Sequence, residues 1–314
     1  MAMAIDQTQG GLTYGTFGLG LHGTAPGSVA QQVHDGDTVN LRAIGNFSIR
    51  FLGIDTPEVS FTLPGSSHFR STNDPAWEVF LTDPFAAGLP PLNLDAALRA
   101  NLQGRLGSGA ATNHAQQADV AHRALEQEIQ NDMVERGLTK EDVQFFAAFT
   151  REIVDRYGRL LAWLNIRDQS AARPPDYNTR ILKKGLATPY FIWPNVDPWR
   201  SQGSLIQAVK PPVQFRQEAN AAGKLRDVRN AVAQARANGD GIFASSAPLR
   251  IHAFELRFLA QRRVPDRWVI DLGANDSTLL KPQNYHMIAN VEDRLFIPQD
   301  YVTLFEQAGW QRQP

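Results

Sequence analysis

Arg50-Phe51-Leu52-Gly53-Ile54-Asp55-Thr56-Pro57-Glu58 decides how this chain is read. Phe51, Leu52 and Ile54 favour an extended strand, and Thr56-Pro57 ends it, because proline has no N–H to give a neighbouring strand. The strand therefore delivers Asp55 and Glu58 to its end and carries Arg50 five residues before Asp55. Upstream, Asp35-Gly36-Asp37-Thr38 is a turn signal. Ser28 to His34, Thr38 to Ala43 and Phe47 to Ile54 are β-favouring and partly alternating, which predicts a three-stranded meander.

Beyond that meander, residues 59 to 112 are rich in Pro, Gly, Ser and Asn and read as a long surface insertion with one helical stretch, Asn93 to Leu106. Ala121, Leu125, Ile129 and Met133 recur at four-residue steps and predict a helix from Asn113 to Arg136. Val143 to Phe149 and Leu160 to Ile166 read as strands flanking the turn Asp155-Arg156-Tyr157-Gly158-Arg159. Short helices are expected at Arg180 to Leu186 and from Leu225 to a stop at Gly239. After Ser246, Phe254 to Leu259 and Arg267 to Leu272 suggest a hairpin, and Tyr301 to Gly309 a terminal helix. Three strands, a helix, two strands and further helices fit an α+β fold built on a small five-stranded β-barrel of the OB type.

Length and composition agree with a globular protein, since 314 residues at 43% hydrophobic can bury a full core. No apolar run reaches the roughly 18 residues that span a bilayer, so no membrane partner is expected. The opening Met1-Ala2-Met3-Ala4-Ile5-Asp6 lacks the basic start and apolar stretch of a secretory signal. That leaves the compartment open between a soluble intracellular protein and one secreted after loss of a signal. Zero cysteines exclude disulfides, thiolate metal sites and thiol nucleophiles. A net charge of −1 argues against coating nucleic acid by bulk electrostatics and for a local basic cleft on a near-neutral body.

The chemistry-bearing residues each have a plain alternative. Asp35-Gly36-Asp37-Thr38 alone is a turn, Glu58 alone a solvated surface acid, and Arg50 and Arg159 alone are ion-pair partners. Taken together, Asp37 and Asp55 could converge on one hard cation from two strands of the meander, with oxygen ligands that suit Ca²⁺ or Mg²⁺ rather than Zn²⁺. Glu58 could deprotonate a water aimed at phosphorus. Arg50 and Arg159 could bind phosphodiester oxygens in two-pronged fashion, more strongly as negative charge grows. The seven histidines show no recurrent spacing and read as structural or exposed.

In the order Asp35-Gly36-Asp37-Thr38, Arg50, Asp55-Thr56-Pro57-Glu58 and Asp155-Arg156-Tyr157-Gly158-Arg159, these elements make the chain resemble the staphylococcal nuclease (thermonuclease) family, whose fold is an OB barrel with three helices. The resemblance implies that Asp37, Asp55 and the Thr56 carbonyl bind Ca²⁺, with Mg²⁺ or Mn²⁺ as substitutes, and that Asp35 supports them. It implies Glu58 as general base and Arg50 and Arg159 as phosphate clamps. Arg156 and Tyr157 stand where the family has a lysine and a tyrosine that touch substrate phosphates. Lys184-Gly185-Leu186-Ala187 resembles a family Gln-Gly-Leu-Ala, and Phe191 and Trp193 fall where two tyrosines border the nucleotide, so either both rings stack on a base or both are core aromatics. The family hydrolyses DNA and RNA with little sequence choice and leaves 3′-phosphate ends.

The likeness covers about residues 25 to 245, interrupted by the 59–112 insertion, and leaves an N-terminal Gly-rich arm, 1–24, and a C-terminal extension, 246–314, without counterpart. The expectation is thus a metal-dependent, sugar-nonspecific endonuclease with DNA and RNA as partners and no obligate protein partner. A noncatalytic nucleic-acid-binding scaffold is the rival reading, and a small-molecule phosphodiesterase with a pocket closed by the insertion is a third.

Overall fold

A computed structural model describes residues 3–7, 13–35, 38–155, 157–168, 170 and 173–313. Every sheet among the described residues is open, so the fold there is mixed α+β without a closed barrel. The chain divides into two compact units, residues 1–51 with 148–162, and residues 52–147 with 163–314.

In the first unit the expected meander does not form. Ser28 opens a four-residue helix, Val29–Gln32, instead of a strand, and its N–H donates to the Gln31 side chain at 2.9 Å. That Ser-x-x-Gln arrangement is a helix-start signal that outweighs the β-favouring side chains. Thr38–Val39 turns back on Val33–Asp35, whereas Leu41–Ala43 pairs with Phe17–Leu19 from the expected loose arm. Val33, Val39 and Leu41 are 44 to 51% exposed, so alternation has no buried face against which to hold a register, and local partners win. Ile49–Phe51 runs parallel to Leu160–Ile166, with Arg50 opposite Leu161, and Phe145–Val154 is the other neighbour of Leu160–Ile166.

The second unit is organised by a four-stranded sheet in the order Gly53–Asp55, Thr188–Ile192, Arg294–Ile297, Trp268–Asp271. Gly53–Asp55 is antiparallel to Thr188–Ile192, which is parallel to Arg294–Ile297. The region read as a surface insertion is instead core-forming. It carries the hairpin Ser60–Thr62/Phe69–Ser71, a helix Pro75–Thr82 capped by Asp74, and a helix Ala96–Gln103. Trp77, Leu98 and Leu102 are fully buried and cluster with Ile251, Leu256 and Leu259 from beyond Ser246. Each such large apolar side chain contributes about 1.5–3 kcal/mol of burial, so scattered hydrophobes between Pro and Gly turns suffice to fix the segment.

Residues after Ser246 share this core and supply two of the sheet's four strands. Phe254 to Leu259 lies in a helix, Ala253–Ala260, not in a hairpin strand, and Trp268–Asp271 pairs with Arg294–Ile297. The apolar–charged alternation Phe254-Glu255-Leu256-Arg257-Phe258 mimics a strand only because its two charges, Glu255 buried and Arg257 half-buried, are both paired. Elsewhere the expected elements are present: Ala110–Glu135, Tyr177–Lys183, Lys224–Asn238 ending at Gly239 with φ 72°, and Val302–Gln307.

Candidate functional site

The strand Gly53–Asp55 is held by its edges. Gly53 has φ +74°, and a Cβ there would lie 2.7 Å from the Trp163 ring, so glycine is required by both backbone and space. The buried Asn178 amide donates to the Leu52 carbonyl at 2.8 Å. Asp55 stands opposite Thr188, whose hydroxyl lies 2.8 Å from His252 Nδ1. Pro57 follows and the ladder stops, which leaves Thr56 half-buried and Glu58 in the irregular segment before Ser60–Thr62.

Arg257, from the helix Ala253–Ala260, occupies this strand end. Its two terminal nitrogens donate to Asp55 Oδ1 and Oδ2, both at 2.9 Å, and one of them also donates to Glu58 Oε1 at 2.6 Å. The Asp55 side chain is 1% exposed and that of Glu58 21%. Burial pulls the Arg257 pKa down, but the Asp55 and Glu58 charges outweigh it and leave that pKa raised. Such a fork on a carboxylate is a strong, directional pair.

The backbone of Glu58 is pinned on both sides. Its N–H donates to His114 Nε2 at 2.8 Å, and its carbonyl accepts from the Thr72 hydroxyl at 2.9 Å. Because Nε2 accepts, the His114 proton sits on Nδ1, which faces the Ile251 carbonyl at 3.1 Å. Burial of this imidazole lowers its pKa to about 4, so it is neutral. His114 comes from Ala110–Glu135 and Thr72 from the turn just after the Phe69–Ser71 strand of the 59–112 region, and both thus serve to position Glu58.

The helix that carries Arg257 is fastened by a second buried network. Glu255 accepts from two Arg105 nitrogens at 2.9 and 2.7 Å, from the Tyr285 hydroxyl at 2.7 Å and from the His252 N–H at 2.9 Å. Burial would raise the Glu255 pKa, but the Arg105 guanidinium holds it down at about 2.

In the first unit, Arg50 is half-buried in register with Leu161, and Arg159 immediately precedes the same ladder. Arg159 closes the turn that leads into the strand Leu160–Ile166, two positions before Leu161. Asp155 organises the turn: Oδ1 accepts from the backbone N–H of Tyr157 at 2.8 Å and of Arg159 at 3.0 Å, while Oδ2 accepts from Arg159 Nε at 2.8 Å. The Arg159 guanidinium lies 5.1 Å from the exposed Tyr157 ring. The ion pair that sequence offered as the plain reading of Arg159 is therefore present.

Phe191 and Trp193 are 1% and 0% exposed, and Trp193 packs edge-on against Phe305 at 5.0 Å. Both are core aromatics, and neither offers a face to a base. Asp37 and Arg156 lie outside the described residues, as does the side chain of Asp35, whose backbone ends the strand Val33–Asp35. Among the described residues no three His, Asp or Glu side chains converge as a metal ligand set. No protein-family model matches the chain, and no curated protein or solved structure matches it.

Arg257, His114, Thr72 and the Arg105–Glu255 pair escaped the sequence reading. Only one signal pointed their way: His252-x-x-Glu255, a helix-start pattern that places Arg257 on a helix rather than a strand.

Proposed function

We propose that this protein hydrolyses DNA and RNA phosphodiesters in the manner of the staphylococcal nuclease family that its motifs resemble, leaving 3′-phosphate ends. The observation that best supports the reading is the register of Arg50 opposite Leu161, which sets Arg50 beside the strand that follows the Asp155–Arg159 turn. Arg50 and Arg159 would serve as the phosphate clamps that the resemblance assigns, since guanidiniums suit a phosphodiester whose oxygens gain charge as water adds. Arg156 and Tyr157, in the same turn, would extend that contact along the backbone. Glu58 is the base: its backbone is fixed by His114 and Thr72, and its partly exposed carboxylate can meet a water. The parallel adjacency of Ile49–Phe51 and Leu160–Ile166 also supports the OB-type barrel that belongs to this reading.

The resemblance assigns calcium to Asp37, Asp55 and the Thr56 carbonyl with Asp35 behind. Ca²⁺ takes roughly six to eight oxygens at about 2.3–2.6 Å. Asp55 is enclosed, and both its oxygens serve Arg257, so it does not fit the ion as arranged.

The test is incubation with plasmid DNA, single-stranded DNA and RNA, followed by end analysis. Products with 3′-phosphate ends are expected, and 3′-hydroxyl ends would exclude this chemistry. The Arg257 fork favours a second reading, a noncatalytic nucleic-acid-binding module, because it ties up the two acids that a nuclease needs. Salt-sensitive binding of the same polymers without cleavage would select it.

A further inference from the structure

A carboxylate that takes a divalent ion must present an oxygen where the hydrated ion can reach it. Asp55 does the reverse, with a side chain 1% exposed and one guanidinium on both oxygens. Glu58, the more accessible acid, gives Oε1 to the same guanidinium. Arg257 thereby leaves the trio with a single negative charge where the acids alone would have two, and it repels any cation approaching them. Its helix cannot easily carry it away. Leu256 and Leu259 are fully buried, and Glu255, in the first turn of the helix, is held by Arg105 and Tyr285.

We infer that Arg257 is the resident cation of the Asp55–Glu58 pair and keeps that pair closed to divalent ions. The guanidinium does there what a metal does elsewhere: it neutralises the acids and fixes their geometry, with directional N–H donors in place of a coordination shell. This inference concerns ion binding and does not rest on the proposed hydrolysis, so either can fail alone.

Titration of the full chain with Ca²⁺ by calorimetry and with Mn²⁺ by electron paramagnetic resonance tests it. The wild-type protein should show no millimolar or tighter site that depends on Asp55. Arg257→Gln should create one, with affinity at least about tenfold above any wild-type binding, and Asp55→Asn on that background should remove it. A stoichiometric wild-type site that Asp55→Asn abolishes would overturn the inference, as would a folded Arg257→Gln that gains none. If Arg257→Gln does not fold, the wild-type titration decides alone: an Asp55-dependent site refutes the inference and its absence upholds it. Cleavage assayed on the same samples keeps the hydrolysis proposal separate.

Discussion

His114 shows how one side chain ties the candidate base to the fold. Its pKa is lowered from 6.5 to about 4, so between those values the unfolded chain binds a proton that the folded chain refuses. The stabilisation is therefore complete above about pH 6.5 and is lost as pH falls toward 4, at a cost of roughly 3 kcal/mol. Thermal melts across this window should show the midpoint dropping on acidification, and His114→Gln should flatten the slope. Protonation at Nε2 would also free the Glu58 N–H. Gly53 makes the complementary steric point: Gly53→Ala forces a Cβ against the Trp163 ring at positive φ and should cost on the order of 2 kcal/mol in chemical denaturation. Arg159→Ala, by contrast, removes a partly exposed ion pair worth at most about 1 kcal/mol. Its melting temperature should stay close to wild type while cleavage slows, and a collapsed transition would make Arg159 a structural residue.

Elements differ in how openly the sequence declares them. The helices Ala110–Glu135 and Lys224–Asn238 were legible because a buried stripe recurs at helical spacing and glycine marks an end. The turn at Asp155 and an extended stretch ending at Asp55 are legible for the same kind of local reason, although the residues read as one strand, Phe47 to Ile54, divide between Ile49–Phe51 and Gly53–Asp55 in two sheets. Long-range partners are not legible. Arg257 lies about 200 positions from Asp55, and no local pattern distinguishes a buried, paired arginine from a solvated one. Alternation in Phe254 to Phe258 mimicked a strand, and a Pro- and Gly-rich composition hid a core in residues 59–112. That last correction is testable. Trp77→Ala should destabilise the second unit by about 3–5 kcal/mol, and deletion of residues 59–112 should abolish its cooperative melt rather than merely open a cleft.

At the scale of the molecule, a near-neutral chain places its candidate chemistry in a few strand ends and turns, and the segment beyond Ser246 takes part in it by supplying Arg257. Guanidiniums are thus the positive charges that the described residues show at both the acid pair and the Asp155 turn. The most direct measurement is plasmid cleavage by the wild-type chain beside Glu58→Gln, in Ca²⁺ and in EDTA. Wild-type cleavage in Ca²⁺, reduced at least about a hundredfold in Glu58→Gln, is the predicted result, and the EDTA arm reads how far a divalent ion contributes. No cleavage in either condition, or undiminished cleavage by Glu58→Gln, would contradict the account.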